Sequence, residues 1–146
     1  MRKIENAQEI FNCLKLFDAS APRRISERVE CLEEYAQKLI INANNFCVEE
    51  DGEIIGFISF YINHSEIAYI AVIAVSECFK RCGIGTSLLK KAIDVSKNQG
   101  LKQIMLEVDS QNKAAISFYQ SNNFYKDTSK DINSKKQSIY MTKELG

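Results

Sequence analysis

The chain has 146 residues with 19 basic and 19 acidic side chains, and this balance argues against a nucleic-acid surface built on excess positive charge. No apolar run approaches the length of a membrane span, and the first residues lack the apolar core of a signal peptide, so we expect a cytoplasmic protein without nucleic-acid or membrane partners. The length suits one domain over residues 1–146, and five cysteines without a C-x-x-C pair predict free thiols rather than disulfides or a zinc site.

Hydrophobic periodicity predicts two helices near the start of the chain. Asn6 and Glu9 have the spacing of a capping box before the first helix. Ser26 is predicted to cap a second helix that ends near Asn42. Its apolar stripe comprises Val29, Leu32, Ala36, Leu39 and Ile40.

Three strands are predicted next. Phe46–Glu50 and Ile54–Ile62 form a hairpin, because the turn pair Asp51-Gly52 tolerates positive φ at both positions. Ile67–Val75 is apolar in nearly every position, which predicts a central strand covered on both faces.

A third helix follows a glycine turn and is predicted to end near Gly100. The remaining predicted elements are the strand Gln103–Asp109, the helix Lys113–Asn122, a strand from Phe124 and a last strand at Gln137–Lys143. The order αα-βββ-α-β-α-ββ predicts an α/β mixed sheet with helices on both faces. Because a helical crossover joins them, Ile67–Val75 and Gln103–Asp109 should run parallel.

The glycine turn before the third helix has the features of an anion-binding site. A helix start leaves backbone N–H groups unpaired and carries the positive end of the helix dipole, which favours phosphate oxygens. Gly83 and Gly85 allow a diphosphate to approach the backbone, and Lys80 and Arg81 add charge. The predicted amide donors are those of Cys82, Gly83, Ile84, Gly85 and Thr86.

Two familiar phosphate loops do not fit this turn. A Walker loop needs Lys-Ser/Thr after its second glycine, and Thr86-Ser87 stands there. A dinucleotide fingerprint needs Gly or Ala at the position of Leu88, and it follows the first strand of an αβ alternation. Both alternatives are excluded.

Together with a second block downstream, the turn resembles the GNAT superfamily of N-acetyltransferases. Lys80-x-x-Gly83-x-Gly85 is similar to the family's Gln/Arg-x-x-Gly-x-Gly/Ala motif for acetyl-CoA. The second block matches Asn-x-x-Ala-x-x-Phe/Leu-Tyr through Asn112, Ala115, Phe118, Tyr119 and, beyond it, Phe124. The resemblance covers Phe46 to Leu145. Departures are Lys80 for Gln or Arg, Glu77 where proline is frequent, and Asn123 where glycine is frequent.

The resemblance implies a central mixed sheet of about six to seven strands whose two parallel strands splay apart to admit acetyl-CoA. The pantetheine would then pair with the backbone near Ile73 and Val75, as an added strand does. A backbone N–H near Val75 would polarise the thioester carbonyl. The implied chemistry is direct attack by an amine on the acetyl group in a ternary complex, with acetyl-CoA as cosubstrate and no metal.

By the same resemblance Tyr119 is the general acid that protonates the departing CoA sulfur, and Asn112 and Ala115 contact the cofactor. The general base stays open. Tyr69 lies where some members carry a glutamate, and Glu66 lies at the entrance of the same strand, so a water relay anchored on either is our prediction. Other candidates on the neighbouring strand are Glu107 and Asp109. The only histidine, His64, is predicted to be a solvated turn residue.

The acceptor is the least determined part of the function. In the family it is shaped by loops that correspond to Asp18–Ile25, with its basic pair Arg23-Arg24, and to Asp127–Lys136. We expect a small metabolite amine such as an amino sugar. Alternatives are a peptide N-terminus, since the chain also looks like the ribosomal-protein N-terminal acetyltransferases, and a non-catalytic acyl-CoA-binding module. The protein is expected to be a monomer or homodimer.

Overall fold

The computed structural model describes residues 1–18, 29–62, 66–130 and 137–146, so Ser26, His64 and most of both acceptor loops lie outside the described residues. Seven strands and four α-helices are present within these ranges. In chain order they are β1 (Arg2–Lys3), α1 (Ala7–Asp18), α2 (Leu32–Asn42), β2 (Asn44–Glu50), β3 (Glu53–Tyr61), β4 (Ile67–Val75), α3 (Ile84–Asn98), β5 (Gln103–Asp109), α4 (Lys113–Ser121), β6 (Tyr125–Lys126) and β7 (Ser138–Glu144). Short 3-10 helices occupy Glu77–Phe79 and Thr128–Lys130.

The strands form one sheet in the order β1-β2-β3-β4-β5-β7-β6. The described pairing of β4 with β5 is parallel, whereas β5 with β7 and β6 with β7 are antiparallel. This confirms the predicted mixed α/β class.

The chain divides into two compact units. The first comprises Met1–Tyr61 and Ala71–Ala92, and the second comprises Ile62–Ile70 and Ile93–Gly146. The single domain over residues 1–146 stays a prediction.

The first unit begins with strand β1, which the sequence analysis missed. Arg2 and Lys3 pair with Cys47 and Phe46 of β2. Two residues are too few to show the alternation by which a strand is recognised. Arg2 reinforces the pairing by donating from Nη1 to Oε2 of Glu9 at 2.9 Å and from Nε to Oε1 of Glu49 at 2.7 Å.

The two N-terminal helices differ in how well their starts were predicted. Asn6 caps α1 as expected, since its Oδ1 accepts the N–H of Glu9 at 2.9 Å. The predicted start of α2 was wrong, because the helix begins at Leu32 and Val29 lies outside it. Cys31 is extended at the cap position, and the carboxylates of Glu33 and Glu34 in the first turn favour a start there through the helix dipole. The predicted end at Asn42 is confirmed.

The β2–β3 hairpin confirms the predicted turn. Asp51 and Gly52 both have positive φ, 52° and 81°, as their residue types allow. The strands start at Asn44 and Glu53, one or two residues earlier than predicted.

A buried polar network fastens α2 to this hairpin. Asn45 is 2% exposed, and its Nδ2 donates to the carbonyls of Leu39 at 3.0 Å and Ala43 at 3.2 Å. Its Oδ1 accepts from the buried hydroxyl of Ser59 at 2.5 Å. One side chain therefore bonds two carbonyls at the helix end and a hydroxyl of β3. The Leu39 carbonyl also accepts the N–H of Ala43, whereas the buried Ser59 hydroxyl would be costly to leave without a partner.

Burial alternates along the parallel strands β4 and β5. The pairing of β4 with β5 runs from Ile67–Gln103 to Ile70–Leu106, while β4 continues to Val75 and β5 to Asp109. Even-numbered residues of β5 are buried and odd-numbered residues are half-buried. The first six residues of β4 alternate in the same way, so full cover on both of its faces, as predicted, is not observed.

We predict that Asn45→Ala lowers the free energy of unfolding by about 1–3 kcal/mol, because it leaves the buried Ser59 hydroxyl and the Ala43 carbonyl without the contacts that Asn45 makes, while the Leu39 carbonyl keeps the N–H of Ala43. Urea unfolding followed by circular dichroism measures this. Asn44→Ala, on the same strand but half-buried and outside the network, is the matched control and should cost far less. Equal losses in the two variants would contradict a special role for the network.

Candidate active site

The glycine turn presents a row of unpaired backbone donors. Arg81 and Gly83 have positive φ, 67° and 82°, so the chain reverses sharply just before α3. The Gly83 carbonyl accepts both the N–H and the hydroxyl of Ser87 at 3.0 Å. In the described part of the chain, no backbone carbonyl accepts from the N–H groups of Cys82, Gly83, Ile84, Gly85 and Thr86.

There is room for a ligand against this turn. A Cβ built on Gly83 would meet nothing within 4 Å, and Arg81, Cys82 and Gly83 are all exposed. Glycine is therefore favoured at position 83 because of its positive φ, not because a side chain would lack space.

The two cations of the turn differ in their surroundings. Lys80 does not offer its full charge, since its Nζ lies 2.9 Å from Oε2 of Glu77. Arg81 forms no ion pair within the described residues.

The position of this turn depends on Gly56, a residue that the sequence analysis did not single out. A Cβ on Gly56 would lie 3.0 Å from Cγ2 of Ile84, 3.2 Å from Cδ1 of Leu88 and 3.2 Å from the Ala74 carbonyl. The first turn of α3 thus packs directly on the backbone of β3. A lone glycine inside an apolar strand is the signal that would have indicated such a close approach.

Helix α4, in the second unit, is capped at both ends by asparagine. Oδ1 of Asn112 accepts the N–H of Ala115 at 3.1 Å, which confirms the predicted cap. At the other end Asn123 has φ = 70°, and the N–H of Phe124 returns to the Tyr119 carbonyl at 3.0 Å. This is a Schellman-type end, and asparagine tolerates the left-handed conformation that usually favours glycine. The departure from the family's glycine at this position therefore leaves the turn intact.

Tyr119 is enclosed by aromatic neighbours. It is 8% exposed, with ring centroids 5.3 Å from Phe118 and 5.9 Å from Phe124. Burial raises the pKa of its phenol to about 12, because the charged phenolate would lose its hydration. Among the described residues the hydroxyl has no hydrogen-bond partner, so a neutral donor is available for a ligand atom.

The candidate bases occupy different ends of the parallel strands. Glu66 precedes β4 and is exposed, with Oε1 3.8 Å from Nζ of Lys102. Tyr69 is half-buried in β4, in register with Met105. Glu107 lies on the same half-buried face of β5 as Met105 and accepts a hydrogen bond from the Ser138 hydroxyl.

Asp109 has a different task. Its Oδ1 accepts the N–H of Gln111 at 2.8 Å and so shapes the turn that leads from β5 into α4. The sequence analysis had considered it only as a candidate base.

The structure places the predicted site residues in both units. In the first unit lie the expected pantetheine partners and the turn: Ile73, Val75, Lys80, Arg81, Cys82, Gly83, Ile84, Gly85 and Thr86. In the second lie Glu66, Tyr69, Asn112, Ala115 and Tyr119. No group of His, Cys, Asp or Glu in the described ranges is arranged to hold a metal ion, and no helix there is long and apolar enough to cross a bilayer.

Residues 10–124 match the model of the Acetyltransferase (GNAT) family, and the chain therefore belongs to this family. The sequence is similar to N-alpha-acetyltransferase 30 of Schizosaccharomyces pombe, with 42% identity over 36% of this chain and 35% of that protein. It is also similar to peptidyl-lysine N-acetyltransferase YiaC of Escherichia coli, with 32% identity over 66% and 60% of the two chains. The matches thus span less than two thirds of these relatives.

Solved structures agree with the fold. The ribosomal-protein-S18-alanine N-acetyltransferase of Escherichia coli superposes with a TM-score of 0.78 over 99% of this chain and 94% of that chain, at 20% identity. A Bacillus anthracis protein assigned as a streptothricin acetyltransferase, solved in complex with acetyl coenzyme A, has a TM-score of 0.61 and 28% identity over 70% and 62% of the two chains.

We predict that Gly83→Asp weakens acetyl-CoA binding more than tenfold, equivalent to about 1.4 kcal/mol. A carboxylate would stand against the amides that are expected to hold the diphosphate. Isothermal titration calorimetry with acetyl-CoA measures the change.

Gly52→Asp is the control for this substitution. Gly52 has nearly the same φ, 81°, and the same open space around a built Cβ, but it lies in the β2–β3 turn. The Gly52→Asp variant should bind acetyl-CoA with the same affinity as the wild type. Wild-type affinity in folded Gly83→Asp would show that the cofactor does not use this turn.

We predict that Tyr119 makes the protein sensitive to alkali. Below pH 10 Tyr119 is protonated in both the folded and the unfolded state, whereas between pH 10 and the folded pKa of about 12 only the unfolded state releases the proton, so stability falls. Between pH 9 and pH 11.5 the wild type should lose about 2 kcal/mol more than Tyr119→Phe in urea unfolding. Parallel losses in the two proteins would show that Tyr119 does not carry this pH dependence.

Proposed function

We propose that the protein is an N-acetyltransferase that moves the acetyl group of acetyl-CoA to a primary amine in a ternary complex. The observation that carries the proposal is the row of five unpaired backbone N–H groups at the start of α3. Such donors, at the positive end of a helix dipole, bind phosphate oxygens without any charged side chain. Family membership supports acetyl-CoA as the phosphate-bearing ligand.

In the proposed complex the diphosphate lies against the amides of Cys82–Thr86, and Arg81 adds positive charge at the exposed side. The pantetheine arm pairs with the backbone of Ile73 and Val75 as an added strand. A backbone N–H near Val75 donates to the thioester carbonyl, where negative charge develops as the amine attacks. These contacts fix the acetyl group, and fixed geometry supplies much of the rate.

Proton transfers complete the proposed reaction. The acceptor ammonium loses a proton to a base, and the neutral amine attacks the acetyl carbon. As the C–S bond breaks, Tyr119 protonates the departing sulfur, and the second proton of the new amide nitrogen restores the phenol through solvent. With a pKa near 12 the phenol holds its proton throughout the neutral range.

For the base we favour Glu107 over Glu66. Parallel strands bring their C-terminal ends to one edge of the sheet, and the family binds acetyl-CoA at that end. Glu66 stands at the opposite end, before the first residue of β4. Glu107 is four residues beyond Gln103, or about 13 Å further along the strand direction, and its carboxylate is half-buried. Tyr69, on the same face, is the alternative anchor for a water relay.

No single contact among the described residues specifies which amine is the acetyl acceptor. A small metabolite amine is our first choice, supported by the streptothricin acetyltransferase assignment of a neighbour that covers 70% of this chain. A peptide amine is the second, since one relative is named a peptidyl-lysine N-acetyltransferase. A panel of amino sugars, polyamines, peptide N-termini and peptidyl lysines with acetyl-CoA, read as released thiol, separates the two.

We predict that Tyr119→Phe lowers kcat by ~10²–10⁴-fold and leaves the Kd for acetyl-CoA nearly unchanged, because it removes the proton donor but keeps the ring. Steady-state kinetics and calorimetry measure the two quantities. Tyr125→Phe is the control. Tyr125 lies on β6, and its hydroxyl donates to Oε1 of Glu144 at 2.6 Å, so its removal should leave kcat unchanged. Unchanged kcat in Tyr119→Phe would remove Tyr119 from the mechanism, and a wild type inactive on the whole panel would favour an acyl-CoA-binding module.

A further inference from the structure

We propose that Ser138 is a positioning residue that orients the carboxylate of Glu107 for proton removal from the acceptor amine. The proposal rests on the proposed function. The observation that supports it is one hydrogen bond, in which Oγ of Ser138 donates to Oε1 of Glu107. Among the described residues Oε2 of Glu107 has no hydrogen-bond partner, so one oxygen is held and the other is left for the amine.

The strand register makes this contact a fixed feature of the sheet. In the antiparallel pair β5–β7, Glu107 is opposite Tyr140 and Asp109 is opposite Ser138. Ser138 is thus the diagonal neighbour of Glu107 on the same face, within reach of a long side chain.

The backbone secures the same junction. The N–H of Ser110 donates to the Gln137 carbonyl at 2.8 Å, which ties the end of β5 to the residue before β7. Ser138 therefore stands at the point where the chain returns from the 131–136 segment, the stretch in which the family shapes its acceptor site.

A fixed carboxylate matters because a glutamate side chain otherwise samples many rotamers. Fixing one rotamer during the reaction costs conformational entropy. A hydrogen bond that already holds the side chain in that rotamer reduces this cost. The benefit appears in the proton-transfer step and not in acetyl-CoA binding. We therefore expect the loss of the hydroxyl to lower kcat about ten- to hundredfold and to leave the acetyl-CoA Kd unchanged.

Ser138→Thr and Ser138→Val form the test pair, because the two side chains are nearly isosteric, both suit a strand, and only threonine keeps the hydroxyl. Activity is measured with acetyl-CoA and the amine that the wild type acetylates fastest in the panel. Ser138→Thr should retain kcat, and Ser138→Val should lose it. Thr142→Val is the control, since it removes a buried hydroxyl without a partner from the same face of the same strand.

Glu107→Gln provides the second arm of the experiment. If Ser138 acts through Glu107, Ser138→Val should have no further effect on kcat in the Glu107→Gln background. Equal kcat for Ser138→Thr and Ser138→Val, or a full additional loss in the double variant, would overturn the positioning role while the acetyltransferase function stands. Wild-type kcat in Glu107→Gln would overturn Glu107 as base and the inference with it, and a wild type without turnover would overturn the proposed function itself.

Discussion

Five backbone N–H groups at the start of α3 need acceptors that the described chain does not supply, and much of the site is arranged around that need. Exposed turns leave such donors to water, but water is easily displaced by an anion with several oxygens. The positive φ of Gly83 turns the chain into the helix at this point, and the Gly83 carbonyl is occupied by Ser87. The Gly83 carbonyl of this turn thus has its hydrogen-bond partner, while the N–H groups are left for a ligand. A diphosphate, which offers only acceptor oxygens, needs such an arrangement.

Helix α4 combines caps at both ends with a tightly packed tyrosine that carries a hydrogen-bond donor. Asn112 satisfies the first turn, and Asn123 lets the last turn close back on the Tyr119 carbonyl. The ring of Tyr119 is fixed between Phe118 and Phe124, so the hydroxyl is held by the packing of the ring rather than by its own hydrogen bonds. A hydroxyl supported in this way can donate to a ligand atom without breaking an existing contact.

Much of the fold and part of the site could be predicted from the sequence, for definite reasons. The hairpin at Asp51-Gly52 and the bounds of Ile67–Val75 follow from turn chemistry and apolar runs, which are local signals. Strand β1 has only two residues and gives no such signal. Contacts that depend on strand register could not be predicted either. The paired residues of β5 and β7 are 29 to 41 residues apart in the sequence, so the hydrogen bond from Ser138 to Glu107 can be seen only once the two strands are aligned.

Gly56 has a consequence for how members of this family are recognised and engineered. Both family motifs lie downstream of it, yet α3 packs as closely as it does on β3 because this residue has no side chain. A relative with intact motifs and alanine at this position would pass a motif search and still hold its turn a few tenths of an ångström away. Replacement of strand glycines, a routine way to raise thermal stability, should therefore spare this one.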